Sequence, residues 1–319
     1  MLLTSTSPDP DASRGSLYSF FPPCNYWIAS VYFALARGVR RLMFLLKICL
    51  PTCFLVATTV GLAAKDWTSL KIGIEANYPP WTSLNKNGSP EGFDVEFSNQ
   101  VCTRTKITCT FVKLSFDDLI PSLVTGHVDV VLSGLEVTQR RDKIISFSRT
   151  YARDEYVFIV TNGSPLGNLD GAGKRVNLVD GGAKPIIQGW QAKLSGKKLA
   201  TQTSTRAVEF AHKFLQETSV LEVPTPADVL QSVAAKTADI AMLTERAAIE
   251  TLRTPAFSTM RIVGATATGD VLGEGVAAGI RKSDADLKQI FDQEISKATA
   301  DGTLLSMSMK WFGADLRPK

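Results

Sequence analysis

Short apolar runs alternate along this chain with stretches of helical spacing, and polar turns separate them. "SLKIGIEANYPPW" predicts a strand that ends at Pro79 and Pro80. "GFDVEFSNQVCTRT" places Phe93, Val95, Phe97 and Val101 at helical spacing after the Gly88–Pro90 turn. "CTFVKL" predicts a strand, "FDDLIPSLVTG" a helix and "VDVVLSG" a buried strand. "YVFIVTNGS" is an extended segment that leaves this first body, after which "KRVNLVDGGAKPIIQGW" repeats the order of strand, Gly-rich turn and helix. "TADIAMLTERAAIETL" does the same, "GEGVAAGIRK" is a Gly-rich strand able to carry the chain back, and "DADLKQIFDQEISKATADGTLLSMSMKWF" is helical in period. Such alternation predicts an α/β fold with mostly parallel, helix-covered sheets.

The length of 319 residues suits two lobes, each with its own core. A hydrophobic share of 45% and a charged share of 21% are those of a globular protein. The net charge of +4, with no basic tract interleaved with aromatics, argues against a nucleic-acid partner. The beginning of the chain differs. "RLMFLLKICLPTCFLVATTVGLAAKDW" runs from basic residues through an apolar stretch to small residues, the order of a secretory signal peptide cleaved near Ala63 or Ala64. A membrane anchor is the competing reading, and Pro51 and the small-residue end favour cleavage. Residues 1–41 have no clear period, so translation is expected to start at Met43.

Export changes how the cysteines are read. Only Cys102 and Cys109 fall in the mature chain, between a predicted helix and strand. An even pair in an exported chain reads as a disulfide, with a reduced pair or a zinc site as the alternatives. A zinc site lacks a second ligand pair, and the chain holds only His127 and His212. No metal and no cofactor are expected.

Ligands of open parallel sheets bind at the carboxyl ends of strands. The polar clusters fall there: Glu75 and Tyr78, Ser133 to Glu136, Gly181 to Ala183, and Thr244 with Glu245. Four equivalent positions suggest one shared cleft. Enzyme signatures are thin: "GAGKRV" lacks phosphate-loop spacing, and no G-x-S-x-G elbow is present. Asp117 and Asp118 suit the start of a helix.

In this order, "IGIEANYPPW", "GFDVEFSNQVC", "CTFVKLSFDDLIPSLVTGHVDVVLSGLEVTQRRDKIISFS", "GEGVAAGIRK" and "DGTLLSMSMKWF" resemble the bacterial periplasmic solute-binding proteins for polar amino acids. The C-x6-C pair resembles the disulfide of the lysine, arginine, ornithine and histidine subgroup. The resemblance spans about residues 68–316 and implies a type II periplasmic binding protein fold of two α/β lobes joined by two hinge strands. It divides the chain into a presequence over residues 1–64, a first lobe over 65–154 plus 275–319 and a second over 155–274. It implies a monomer in the periplasm that hands an amino-acid ligand to a membrane ABC permease, without catalysis.

Residue by residue, the resemblance places Arg141 on the ligand carboxylate, a role that suits a planar, permanently charged guanidinium. Ser133 and the backbone of Gly134 to Glu136 would line the α-amino and carboxylate end, with Arg140 as the solvated neighbour. Tyr78, Phe116 and Trp81 would sandwich the side chain. Glu75 and Glu136 imply a cationic ligand, because two carboxylates in one partly dry cleft repel unless a cation separates them. The second lobe departs from the pattern. Gly182 and Ala183 stand where hydroxyl residues are usual, and Thr244 stands where an Asp usually meets the ammonium. Either Glu136 takes the ammonium, or the ligand's amine is substituted, as in an opine. The rival reading on the same fold is a cyclohexadienyl dehydratase acting on prephenate or arogenate. A receptor's periplasmic sensor lobe is a third.

Overall fold

The computed structural model describes residues 65–273 and 275–318; the predicted presequence, with its start at Met43 and its cleavage site, lies outside the described residues. The first sheet begins with β1 (Ser69–Glu75), and a small antiparallel sheet of β2 (Asn77–Tyr78), β3 (Thr82–Leu84) and β4 (Pro90–Glu91) follows. Next come α1 (Phe93–Thr105), β5 (Thr108–Leu114), α2 (Phe116–Val124), β6 (Val130–Val131), α3 (Gln139–Asp142) and β7 (Ser146–Phe147). Ser115 starts α2: its hydroxyl accepts from the Asp118 backbone N–H, with Asp117 and Asp118 in the first turn.

The chain then forms a second sheet. Its elements are β8 (Tyr156–Thr161), β9 (Arg175–Asn177), α4 (Ala183–Leu194), β10 (Lys198–Gln202), α5 (Arg206–Phe214) and β11 (Ser219–Val223). It continues with α6 (Pro226–Ala234), β12 (Ile240–Thr244), α7 (Glu245–Leu252) and β13 (Met260–Thr268). Returning to the first sheet, the chain adds β14 (Gly279–Ile280) and then α8 (Ala285–Ala300) and α9 (Thr303–Phe312). The helical tail is thus two helices, broken at Gly302 with φ 79°.

The strand order is β5-β1-β6-β14-β7 in the first sheet and β11-β10-β12-β8-β13-β9 in the second. β5, β1 and β6 are mutually parallel, as are β11, β10 and β12, so each trio sends its carboxyl ends to one edge. Helices cover both faces. Phe93, Phe97, Leu287, Phe291 and Leu304 pack one face of the first sheet, and Leu119 and Leu123 of α2 pack the other. In the second lobe Trp190 and Phe210 bury one face, and Val229, Leu230 and Ala248 the other.

The two crossings between sheets pair with each other. Tyr151 donates its backbone N–H to Val276 O at 2.9 Å, and Val276 donates to Ala152 O at 2.8 Å. Glu136 bridges Val276 from the other side, so the turn after β6 lies directly against the hinge. Cys102 and Cys109 form a disulfide with a Cα–Cα distance of 6.2 Å.

Candidate functional site

The first-lobe wall is built where β1, β5 and β6 end. Ser133, just past β6, ties two neighbours: its Oγ accepts from the Glu75 backbone N–H at 2.9 Å and lies 3.1 Å from Thr82 Oγ1. Gly134 has φ 57°, and a side chain there would meet Tyr78 Cε1 at 2.7 Å and Trp81 Cγ at 3.1 Å. Only glycine fits both the conformation and the space. Its N–H donates to Asp94 Oδ2 at 2.5 Å, and Tyr151 OH donates to Asp94 Oδ1 at 2.8 Å. Burial pushes the Asp94 carboxyl up to about 7, opposed by those two bonds.

Thr138 caps α3 by accepting from the Arg141 backbone N–H at 3.0 Å, which aims the Arg141 side chain inward while Arg140 stays exposed near Glu209. The Arg141 guanidinium donates to Glu136 O at 2.9 Å and, across the cleft, to Ser204 O at 3.0 Å. Its Cζ stands 5.3 Å from the Phe116 ring centroid. Burial lowers its affinity for the proton from the ordinary value, an effect that the nearby Glu136 opposes.

The second-lobe wall comes from the ends of β10 and β12. Gln202 closes β10, and the turn Thr203–Thr205 leads into α5; Thr244 closes β12. Tyr156 begins β8 and is paired with Thr244 in the antiparallel register. Around the cavity, buried side chains meet across the cleft at four places among the described residues. Tyr78 OH and Thr244 Oγ1 are 2.9 Å apart, and Gln202 Nε2 donates to Glu75 Oε1 at 2.9 Å. Tyr156 OH donates to Glu136 Oε2 at 2.7 Å, and Arg206 Nε lies 3.5 Å from the same oxygen. Between the walls is a small cavity of about 20 Å³. Tyr78, Phe116, Gly134 and Glu136 line it from the first lobe, and Tyr156, Gln202, Thr205 and Thr244 from the second.

Glu75, Ser133 and Arg141 stand directly behind this lining and bond to it or to one another. Three expected residues are elsewhere. Trp81 is fully buried in the first-lobe core, 4.7 Å from the Phe312 ring and 5.6 Å from that of Phe93, so it supports Gly134 from beneath and does not sandwich anything in the cavity. Gly182 and Ala183 follow β9, the outermost strand of the second sheet; Gly182 is exposed and Ala183 is in the core, and neither lines the cavity. The central turn of that lobe is Thr203–Thr205 after β10, with Gln202, Thr205, Tyr156 and Arg206 as the residues that sequence reasoning missed. Their signal was present in "KLATQTSTRAVEF", a strand-like run followed by hydroxyl residues at a helix start.

Two acids near the cavity are perturbed. Glu75, 3% exposed, is pushed up to about 7 by burial and by repulsion from Asp117, against the Gln202 bond. Asp154 accepts from Trp81 Nε1 at 3.2 Å. Burial and the charge of Glu136 push it up to about 8, opposed by Thr244 and Arg246. Among the described residues no group of three His, Cys, Asp or Glu side chains is placed to hold a metal ion.

Residues 70–314 match the family model of the bacterial extracellular solute-binding proteins, family 3. The chain belongs to this family. Among curated relatives of this solute-binding protein, the octopine-binding periplasmic protein of Rhizobium meliloti is 29% identical, over 83% of this chain and 97% of the relative. The lysine/arginine/ornithine-binding periplasmic protein of Escherichia coli is 31% identical, over 79% and 93%. A solved periplasmic His/Glu/Gln/Arg/opine family-binding protein from Silicibacter pomeroyi, in complex with lysine, superposes with a TM-score of 0.62 at 27% identity, covering 78% of this chain and all of that one. The family 3 solute-binding protein accordingly has the type II periplasmic binding protein fold.

Proposed function

We propose that this solute-binding protein is the periplasmic component of an ABC importer and takes a basic amino acid, or an N-substituted derivative such as an opine, between its lobes. The observation that carries this reading is the Arg141 guanidinium and the carboxylates of Glu75 and Glu136 around a single interlobe cavity walled by the rings of Tyr78 and Phe116. Arg141 takes the ligand's carboxylate, a pairing whose planar, two-donor geometry favours arginine over lysine. Glu136 takes the α-ammonium: its Oε2 is engaged by Tyr156, and the residue lines the cavity. Glu75 takes the distal cation, since its Oε2 is buried with no hydrogen-bond partner among the described residues. Thr244 offers the amine a neutral hydroxyl, which tolerates a substituted nitrogen better than a carboxylate counter-ion would. The curated relatives, named for octopine and for lysine, arginine and ornithine, support the same ligand class. No bond is made or broken; closing the lobes buries the ligand and presents the permease with a distinct shape.

The test is a thermal-shift screen followed by calorimetry with arginine, lysine, ornithine, histidine, glutamine, opines and prephenate. A saturable rise in Tm with a basic amino acid or an opine, without turnover, is expected, and Arg141→Ala should abolish it. No rise with any of these, or consumption of prephenate, would overturn the reading.

A further inference from the structure

Glu136 is the one carboxylate of the cavity lining, and it belongs to the first lobe. A free glutamate side chain has three rotatable bonds, so a useful acceptor must be held in place. The first lobe does not hold it: the carboxylate's described partners both come from the second. Tyr156, 2% exposed, donates its hydroxyl to Oε2 at 2.7 Å, and Arg206, 1% exposed, brings Nε to 3.5 Å of the same oxygen. Arg206 is itself anchored, because a second guanidinium nitrogen donates to Leu272 O. Tyr156 is fixed by its ladder position opposite Thr244. Oε1 has no partner among the described residues and is not among their buried unpaired atoms, so it is the oxygen presented to the cavity.

We propose that Tyr156 and Arg206 are positioning residues: by holding Oε2 of Glu136 from the opposite lobe, they present Oε1 as the acceptor for the ligand's ammonium group. The inference rests on the reading of the site as an amino-acid pocket. It makes ammonium recognition conditional on lobe closure, because Glu136 is ordered by groups that reach it only across the cleft. A half-engaged ligand therefore meets Arg141 in place before it meets an ordered Glu136.

The experiment compares arginine with 5-guanidinopentanoate, which keeps the carboxylate and guanidinium and lacks the α-amino group. The wild-type protein is expected to prefer arginine by roughly tenfold or more, the scale of a charge-assisted hydrogen bond. Tyr156→Phe and Arg206→Lys, which alter no charge, should each lower arginine affinity several-fold and 5-guanidinopentanoate affinity by clearly less. In a Glu136→Gln background, Tyr156→Phe should add no further loss. Equal losses for the two compounds, or full additivity in the double variant, would overturn the assignment and leave the pocket reading intact. If the wild type binds neither compound, this inference falls, while the pocket reading stands or falls on the wider ligand panel. Should Arg206→Lys fail to fold, the milder Tyr156→Phe decides.

Discussion

Gln202 of the second lobe donates its side-chain N–H to Oε1 of Glu75 in the first at 2.9 Å, and Oε2 of that carboxyl is buried without a partner among the described residues. Burial is the main reason the carboxyl is pushed up to about 7. A ligand cation beside it favours the ionised form, so binding releases a proton. Affinity for arginine or lysine should rise with pH up to about 7 and level above it. Below that point each pH unit should cost up to about tenfold in affinity. Calorimetry in buffers of differing ionisation enthalpy would register the released proton. Glu75→Gln should bind weakly with a flat profile, and a flat wild-type profile would remove Glu75 from the cation contact.

The same physics predicts how stability depends on pH. Glu75 and Asp94 are raised to about 7 and Asp154 to about 8, in each case chiefly by burial. The unfolded chain loses these protons near pH 4, so between about 4 and about 8 the folded state holds protons that the unfolded state has released. Their contribution is therefore full below about pH 4 and is lost as pH rises from there through the folded values. Tm should fall between about pH 4 and about pH 8, and Asp94→Asn should flatten part of that slope. A Tm that climbs over this range would contradict the burial of these three groups.

The sequence carries the first lobe's site more clearly than the second's, and the reason lies in the pairing. Glu75 ends β1, Tyr78 lies just beyond it, and Ser133 and Glu136 follow β6, which pairs in parallel with β1, so the order of strand and polar turn places them at one edge. In the second lobe "KRVNLVDGG" and "KKLATQTST" are successive strands with polar turns, and nothing local distinguishes them. β10 is interior because it pairs with β11 and β12, while β9 pairs only with β13 at the sheet's edge. That choice is made by long-range hydrogen bonding, so Gly182 and Ala183 drew attention that belonged to Gln202 and Thr205. Trp81 is a similar case. The resemblance made it a ring against the ligand's side chain, but Phe312, from the far end of the chain, covers it.

Two glycine substitutions separate the turns by measurement. Gly134→Ala forces a residue with φ 57° to carry a Cβ that meets Tyr78 at 2.7 Å. Left-handed strain and overpacking together should cost about 2–4 kcal/mol and displace Tyr78 from the cavity wall. Gly182→Ala meets nothing within 4 Å and has no positive φ, so stability and ligand affinity should stay within about 0.5 kcal/mol of wild type. Chemical denaturation and calorimetry on both variants test the contrast. Loss of binding in Gly182→Ala would return the β9 turn to the site.

The Cys102–Cys109 disulfide offers the complementary separation, of stability from function. It joins the end of α1 to the start of β5, at the edge of the first sheet opposite the ends that line the cavity. Its sequence separation of 7 closes a small loop, so the entropy removed from the unfolded chain amounts to about 2–3 kcal/mol. Replacing both cysteines by serine should lower unfolding free energy by about that amount in denaturant titration. Ligand affinity at a temperature where the variant stays folded should be unchanged, because no cavity residue contacts the bond. The native, unreduced protein should give no reaction of either cysteine with a thiol reagent. Reaction of both would show the pair to be reduced, and an affinity loss in the folded serine variant would show that strain at the far end of β5 reaches Phe116.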